Sequence, residues 1–191
     1  MRLRSRVSRV LVAVVVAVAV VFVPAGPASA GIWQMTDSFE PGTNPASRWA
    51  WTQVGTCWGP TYQPSAQSPR TGSGMAYWEV LWNREWCSIG RRITLTPVLS
   101  RPGITCTAGV WAKLRGTAPQ LNVEVIDPAT FSYIALKSVP DPGWVDGWTF
   151  HSVTWTAQRA DVLLRFAGLR MGTGPYTAAF HLDDVVVQCV Y

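Results

Sequence analysis

Four cysteines, two histidines, one adjacent pair of aspartates and eleven tryptophans are the residues of this 191-residue chain whose types can do chemistry. The cysteines, Cys57, Cys87, Cys106 and Cys189, are far apart, and neither His151 nor His181 stands near one in sequence, so their spacing is not that of a metal site. An even count of dispersed cysteines reads instead as two disulfides. Asp183 and Asp184 point to opposite faces if they lie on a strand. They therefore cannot flank one glycosidic bond, as the two acids of a hydrolase must. No G-x-S-x-G nucleophile elbow occurs, and Gly172-Thr173-Gly174 has no following Lys to make a phosphate cradle. The tryptophans remain. Indoles fill cores, and they also form flat apolar platforms at binding surfaces. The C–H face of a pyranose ring is a good match for such a platform, although for any single Trp burial in the core is the more common fate.

The first thirty residues have a different character. Arg2, Arg4, Arg6 and Arg9 form a basic stretch without an acid, residues 11–23 are almost entirely Val and Ala, and Ala28-Ser29-Ala30 supplies the small-x-small pattern of a cleavage site. The apolar run, about 14 residues counted from Val10, is shorter than the roughly 20 that span a bilayer. Residues 1–30 therefore read as a cleaved signal peptide, with a mature chain of residues 31–191 that is exported and has no membrane anchor. Removing the leader changes the charge. The whole chain carries +5, but four of its sixteen basic residues are in the leader, which leaves twelve against eleven acids, a net +1. A near-neutral chain without a Lys/Arg cluster does not point to nucleic acid. Export also makes disulfides the expected state of the cysteines.

Something must position these residues, and the pattern after residue 30 is that of strands. No stretch keeps a 3.6-residue apolar period. Short alternating runs recur between Gly, Pro, Asn and Asp turns, as in a sandwich or barrel. Strands are expected at 32–39, 49–56, 74–82, 87–96, 104–114, 120–127, 131–138, 148–157, 161–168 and 179–189. Residues 57–74, rich in Pro, Gly and Ser, read as one long surface loop. Parity assigns faces. Cys106, Ala108, Val110, Ala112 and Leu114 share an inward face, and Trp111 points outward. Leu121, Val123 and Val125 face in, and Asn122 and Glu124 face out. Val162, Leu164 and Phe166 face in, and Leu163 and Arg165 face out. In the last strand Asp183, Val185, Val187 and Cys189 share the inward face. Four cysteines allow three pairings. Parity favours Cys106–Cys189, both inward, and Cys57–Cys87.

The order of these signals resembles the jelly-roll carbohydrate-binding modules of bacterial cellulases and xylanases, within the galactose-binding-like fold. The likeness runs from about residue 36 to 190. It is carried by Asp37-Ser38-Phe39-Glu40-Pro41-Gly42 with Trp49, by Arg70-Thr71-Gly72-Ser73-Gly74 and by Ile93-Thr94-Leu95-Thr96-Pro97. It continues through Thr105 to Lys113 and Trp148 to Ala157, and ends with Phe180-His181-Leu182-Asp183-Asp184-Val185-Val186-Val187. Cys106 and Trp155 depart from the usual Tyr and Phe, and both suit an inward position.

The resemblance implies an all-β, two-sheet antiparallel jelly-roll sandwich forming a single domain. It implies a structural calcium held by Glu40 and Asp183 with backbone carbonyls, which suits a hard cation that takes six to eight oxygens. It also implies a sugar lying across one sheet or along the loop edge. Outward parity then nominates Trp111 and Tyr77 to stack, and Asn122, Glu124 and Arg165 to bind hydroxyls. Trp144, with Trp58, Trp82 and Trp86, forms a competing loop set. The function expected is a secreted, monomeric, non-catalytic polysaccharide-binding protein. The alternative is an extracellular envelope or protein-interaction domain on the same fold, and a small glycan-active enzyme comes third.

Overall fold

A computed structural model describes residues 31–40, 51–55, 58–61, 68–82, 85–95, 103–143 and 147–191, with the backbone alone for 58–61. Residues 1–30, read as a leader from the sequence, and Cys57 and Trp144 lie outside the described residues. Among the described residues there is no helix, and eleven strands occur: β1 (Ile32–Asp37), β2 (Thr52–Gly55), β3 (Trp58–Thr61), β4 (Ala76–Val80), β5 (Trp86–Thr94), β6 (Thr105–Gly116), β7 (Pro119–Ile126), β8 (Tyr133–Val139), β9 (Thr149–Thr156), β10 (Asp161–Arg170) and β11 (Ala178–Val190). Ten match the strands expected from alternation. The eleventh, β3, falls inside the segment read as a continuous loop and pairs with β4. Its short Trp-Gly-Pro-Thr sequence carries no alternation by which to recognise it.

The strands form two sheets. One has the order β3-β4-β11-β6-β9, with β1 also paired to β11, and the other has β2-β5-β10-β7-β8. Every pairing is antiparallel. This is the expected jelly-roll sandwich. The central strands β5, β6, β7, β10 and β11 turn their apolar sides to the other sheet, and burial of that shared face is the main stabilising term. Val110, Leu121, Val123, Leu164, Phe166 and Leu182 are all fully or almost fully buried. Two aromatic groups anchor the layer. Phe166 stacks on Trp51 at 5.5 Å, and Trp51 meets Phe39 at 5.6 Å. Trp78 stacks on Phe180 at 5.5 Å, beside Gly168, where a Cβ would enter the Phe180 ring.

The disulfide Cys106–Cys189 joins neighbouring strands β6 and β11 at an inward pair. Cys87 is buried and also disulfide-bonded; Cys57, the partner expected for it, is outside the described residues.

Two parity readings are overturned: that Asp183 faces inward, and that Asp183 and Asp184 point to opposite faces, since both carboxylates bond to Arg70 and Thr71. β11 pairs β6 in one register up to Asp183 opposite Trp111, and in a register shifted by one residue from Val186 opposite Gly109. Asp184, at φ 46°, is the extra residue of this β-bulge. The bulge reverses the alternation. Val185, Val187 and Cys189 face inward as expected, but Asp183 joins Trp111 and His181 on the outer face. It is buried there by the 70–74 segment instead of by the core.

Candidate functional site

The outer face of the five-stranded sheet gathers four of the sequence-nominated residues, Asn122, Glu124, Arg165 and Trp86. β10 runs between β5 and β7. Its register sets Arg165 opposite Glu124, Ala167 opposite Asn122 and Leu169 opposite Gln120 on one side, with Leu169 opposite Trp86 on the other. Directly paired residues share a face. Gln120, Asn122, Glu124, Arg165 and Trp86 therefore stand together above the sheet.

They are joined in a row. Gln120 Nε2 donates to Asn122 Oδ1 at 3.1 Å, Asn122 Nδ2 donates to Glu124 Oε1 at 3.4 Å, and Arg165 Nε donates to Glu124 Oε2. The Arg165 guanidinium lies 5.5 Å from the centre of the Trp86 ring. Glu124 is 1 % exposed, and both its oxygens are engaged. Its work is to hold Arg165 and Asn122 in place, and its own access to a ligand is slight. Arg165 keeps unshared N–H groups, because a guanidinium has five. Trp86, 39 % exposed, and Tyr133, 55 % exposed, stand at the rim of a recess of about 270 Å³, with small Ala167 in its lining. An aromatic ring beside fixed polar donors is the arrangement that recognises an amphipathic ring.

Trp111 and Tyr77 do not join this site. Both face outward, as parity predicts, but on the six-stranded sheet. Parity assigns a face and is silent on which sheet the strand joins. Trp111 lies under the Arg70 guanidinium at 3.9 Å and against Phe150 at 5.5 Å. One face of its indole is thus already covered. The Tyr77 hydroxyl donates to Glu79, and its ring packs on His181 at 4.9 Å. Burial and Glu79 hold the proton on the phenol well above its usual range. Trp86, which sequence placed among loop residues, begins β5 and belongs to the main site. Trp82 stands 66 % exposed in the β4–β5 connection.

Glu40 and Asp183 fasten the 70–74 segment. Asp183 Oδ2 accepts the backbone N–H groups of Arg70 and Thr71, at 2.9 and 3.0 Å, and its Oδ1 accepts that of Asp184 at 2.8 Å. Burial pushes the Asp183 carboxyl up to about 6, against the pull of these amides. The Glu40 carboxylate accepts the N–H of Ser73 and of Gly74 and the Ser73 hydroxyl. Gly72, at φ 59°, is required here, because a Cβ would collide with that carboxylate. Calcium wants oxygens, whereas these carboxylates are surrounded by N–H donors. Among the described residues no three His, Cys, Asp or Glu side chains come together as a metal site. The arrangement does not fit the calcium site that the resemblance implied.

The two-sheet antiparallel jelly roll is the class of protein this fold defines. No protein-family model matches the chain, and no curated protein sequence matches it. Solved structures do match in fold. A cyclase from Fischerella sp. TAU superposes with a TM-score of 0.56 at 11 % identity, over 82 % of this chain and 98 % of its own. The K2 cleaved adhesin domain of Lys-gingipain superposes with a TM-score of 0.52 at 12 % identity, over 82 % and 99 %. The module TmCBM61, solved in complex with beta-1,4-galactotriose, matches at 0.46 and 10 % identity, over 81 % and 86 %. At these identities the likeness is one of fold.

Proposed function

We propose that this protein is a secreted, non-catalytic polysaccharide-binding domain, residues 31–191, whose ligand lies on the outer face of the five-stranded sheet. The observation that carries the reading is the row Trp86, Arg165, Glu124 and Asn122. In it an accessible indole stands beside an arginine fixed by a buried carboxylate. A pyranose stacks on Trp86, and its hydroxyls bond to Arg165 and Asn122. Tyr133 extends the platform toward β8. The leader-like sequence and the Cys106–Cys189 disulfide support export. Glu124 is the single carboxylate in the recess lining. A glycosidase uses two, which favours binding over hydrolysis.

The test is retention of the disulfide-intact protein on insoluble cellulose, xylan, chitin, β-glucan and mannan, together with a reducing-sugar assay. Retention on at least one, without release of sugar, is the expected outcome. Release of reducing ends would favour an enzyme.

A second reading, a protein-interaction domain, draws on one observation. Phe131, Tyr133 and Leu136 are 71, 55 and 46 % exposed at and beside the β7–β8 turn. Phe131 takes φ 56° in a turn held by Asp127, which accepts the Ala129 N–H and the Thr130 hydroxyl. Loss of all polysaccharide retention in the folded protein would move the weight to this reading.

A further inference from the structure

The β4–β5 and β10–β11 connections meet at one end of the sandwich and flank an open recess of about 560 Å³, lined by Leu81, Trp82, Arg170, Thr173, Gly174 and Pro175. Arg170 closes β10 and is only 7 % exposed. Its two terminal nitrogens donate to the backbone carbonyls of Leu81 and Gly174, which ties the two connections together. Its Nε is shut off from solvent and has no hydrogen-bond partner, each terminal nitrogen keeps a second N–H, and no carboxylate among the described residues pairs with it. Two neutral carbonyls leave the guanidinium with its full charge and with N–H groups to spare. A buried cation without a counter-ion is costly, and an arriving carboxylate relieves that cost with charge-assisted hydrogen bonds. The same recess carries Trp82, the most exposed indole among the described residues whose side chains are placed.

We propose that this recess is a second binding site, specific for a uronic-acid residue: the sugar ring stacks on Trp82 and its carboxylate faces Arg170. It is separate from the recess over Trp86, with which it shares no lining residue, and it does not depend on the ligand proposed there.

The test is an NMR titration of the disulfide-intact protein with an α-1,4-galacturonate trimer and, in parallel, the neutral α-1,4-galactose trimer. The Trp82 indole N–H resonance is assigned from its absence in Trp82→Phe. The acidic trimer should move that resonance, and the neutral trimer should not. Trp82→Ala should abolish binding of the acidic trimer while leaving retention on neutral polysaccharide as in the wild type. Arg170→Gln should weaken acidic binding about tenfold or more, the scale of one charge-assisted hydrogen bond. If that variant fails to fold, the salt dependence of the wild type replaces it, and binding should weaken as salt rises. An unmoved Trp82 resonance, equal binding of the neutral trimer, undiminished binding by Trp82→Ala or an absence of salt dependence would each overturn the proposal. Neutral retention read on the same samples separates its failure from failure at the Trp86 site.

Discussion

Glu124 and Arg165 illustrate how a binding residue is held by one that hardly touches solvent. Their pairing across β7 and β10 is half-buried, with Glu124 the more enclosed partner. Removing Arg165 alone strands a buried carboxylate. Arg165→Met should therefore cost about 3 kcal/mol in a denaturation experiment, and adding Glu124→Gln should restore much of it. If the single and double variants lose the same stability, the carboxylate is not held by the arginine. His181 offers a second test. It is buried against Tyr77, and its Nδ1 meets the Lys113 carbonyl at 3.0 Å. Burial pushes its pKa down to about 4 from 6.5. Between those values the unfolded chain holds a proton that the folded protein refuses, so His181 takes stability away as pH falls through that window. Its full contribution is present above about 6.5. The gap in unfolding free energy between wild type and His181→Gln should shrink by about 3 kcal/mol from pH 7 to pH 4. A constant gap would refute the burial. Residue-level placement was legible where alternation is unbroken. Asn122, Glu124 and Arg165 were nominated by parity and stand together. Asp183 was misassigned, because the bulge at Asp184 leaves no trace in the pattern of polar and apolar residues.

At the scale of elements, the strand ends and connections decide what alternation cannot. Trp86 read as a loop residue because the apolar run begins at Cys87, yet pairing with Leu169 carries β5 one residue further. The Trp111 and Tyr77 strands were found, but sheet membership depends on long-range pairing, and no local signal encodes it. The Cys106–Cys189 link closes a separation of 83 residues between β6 and β11. Cys106→Ala with Cys189→Ala should lower stability by about 2–5 kcal/mol in chemical denaturation. No change would mean that the unfolded chain gains little freedom from losing the link. The 70–74 segment is held by Glu40 and Asp183 through N–H donors, and if these bonds alone fasten it, chelation leaves it in place. The melting temperature should be the same with and without EDTA. A fall on adding EDTA that calcium restores would show that the oxygens rearrange around a cation after all.

For the whole molecule, the fold class was readable because the central strands share one apolar interior and the turn residues between strands are frequent. The ligand surface was half readable. Two outer faces exist, and only the pairing order shows that the polar row belongs with Trp86 on one of them while Trp111 is covered by Arg70 on the other. The central claim is that the Trp86 face binds polysaccharide. It is tested most directly by comparing wild type, Trp86→Ala and Trp111→Ala for depletion on the polysaccharide that retains the wild type, each checked for an unchanged fold by circular dichroism. The account predicts that Trp86→Ala loses binding about tenfold or more, on the scale of a stacked ring, while Trp111→Ala binds as the wild type does. Retention unchanged in Trp86→Ala, or lost in Trp111→Ala alone, would contradict it.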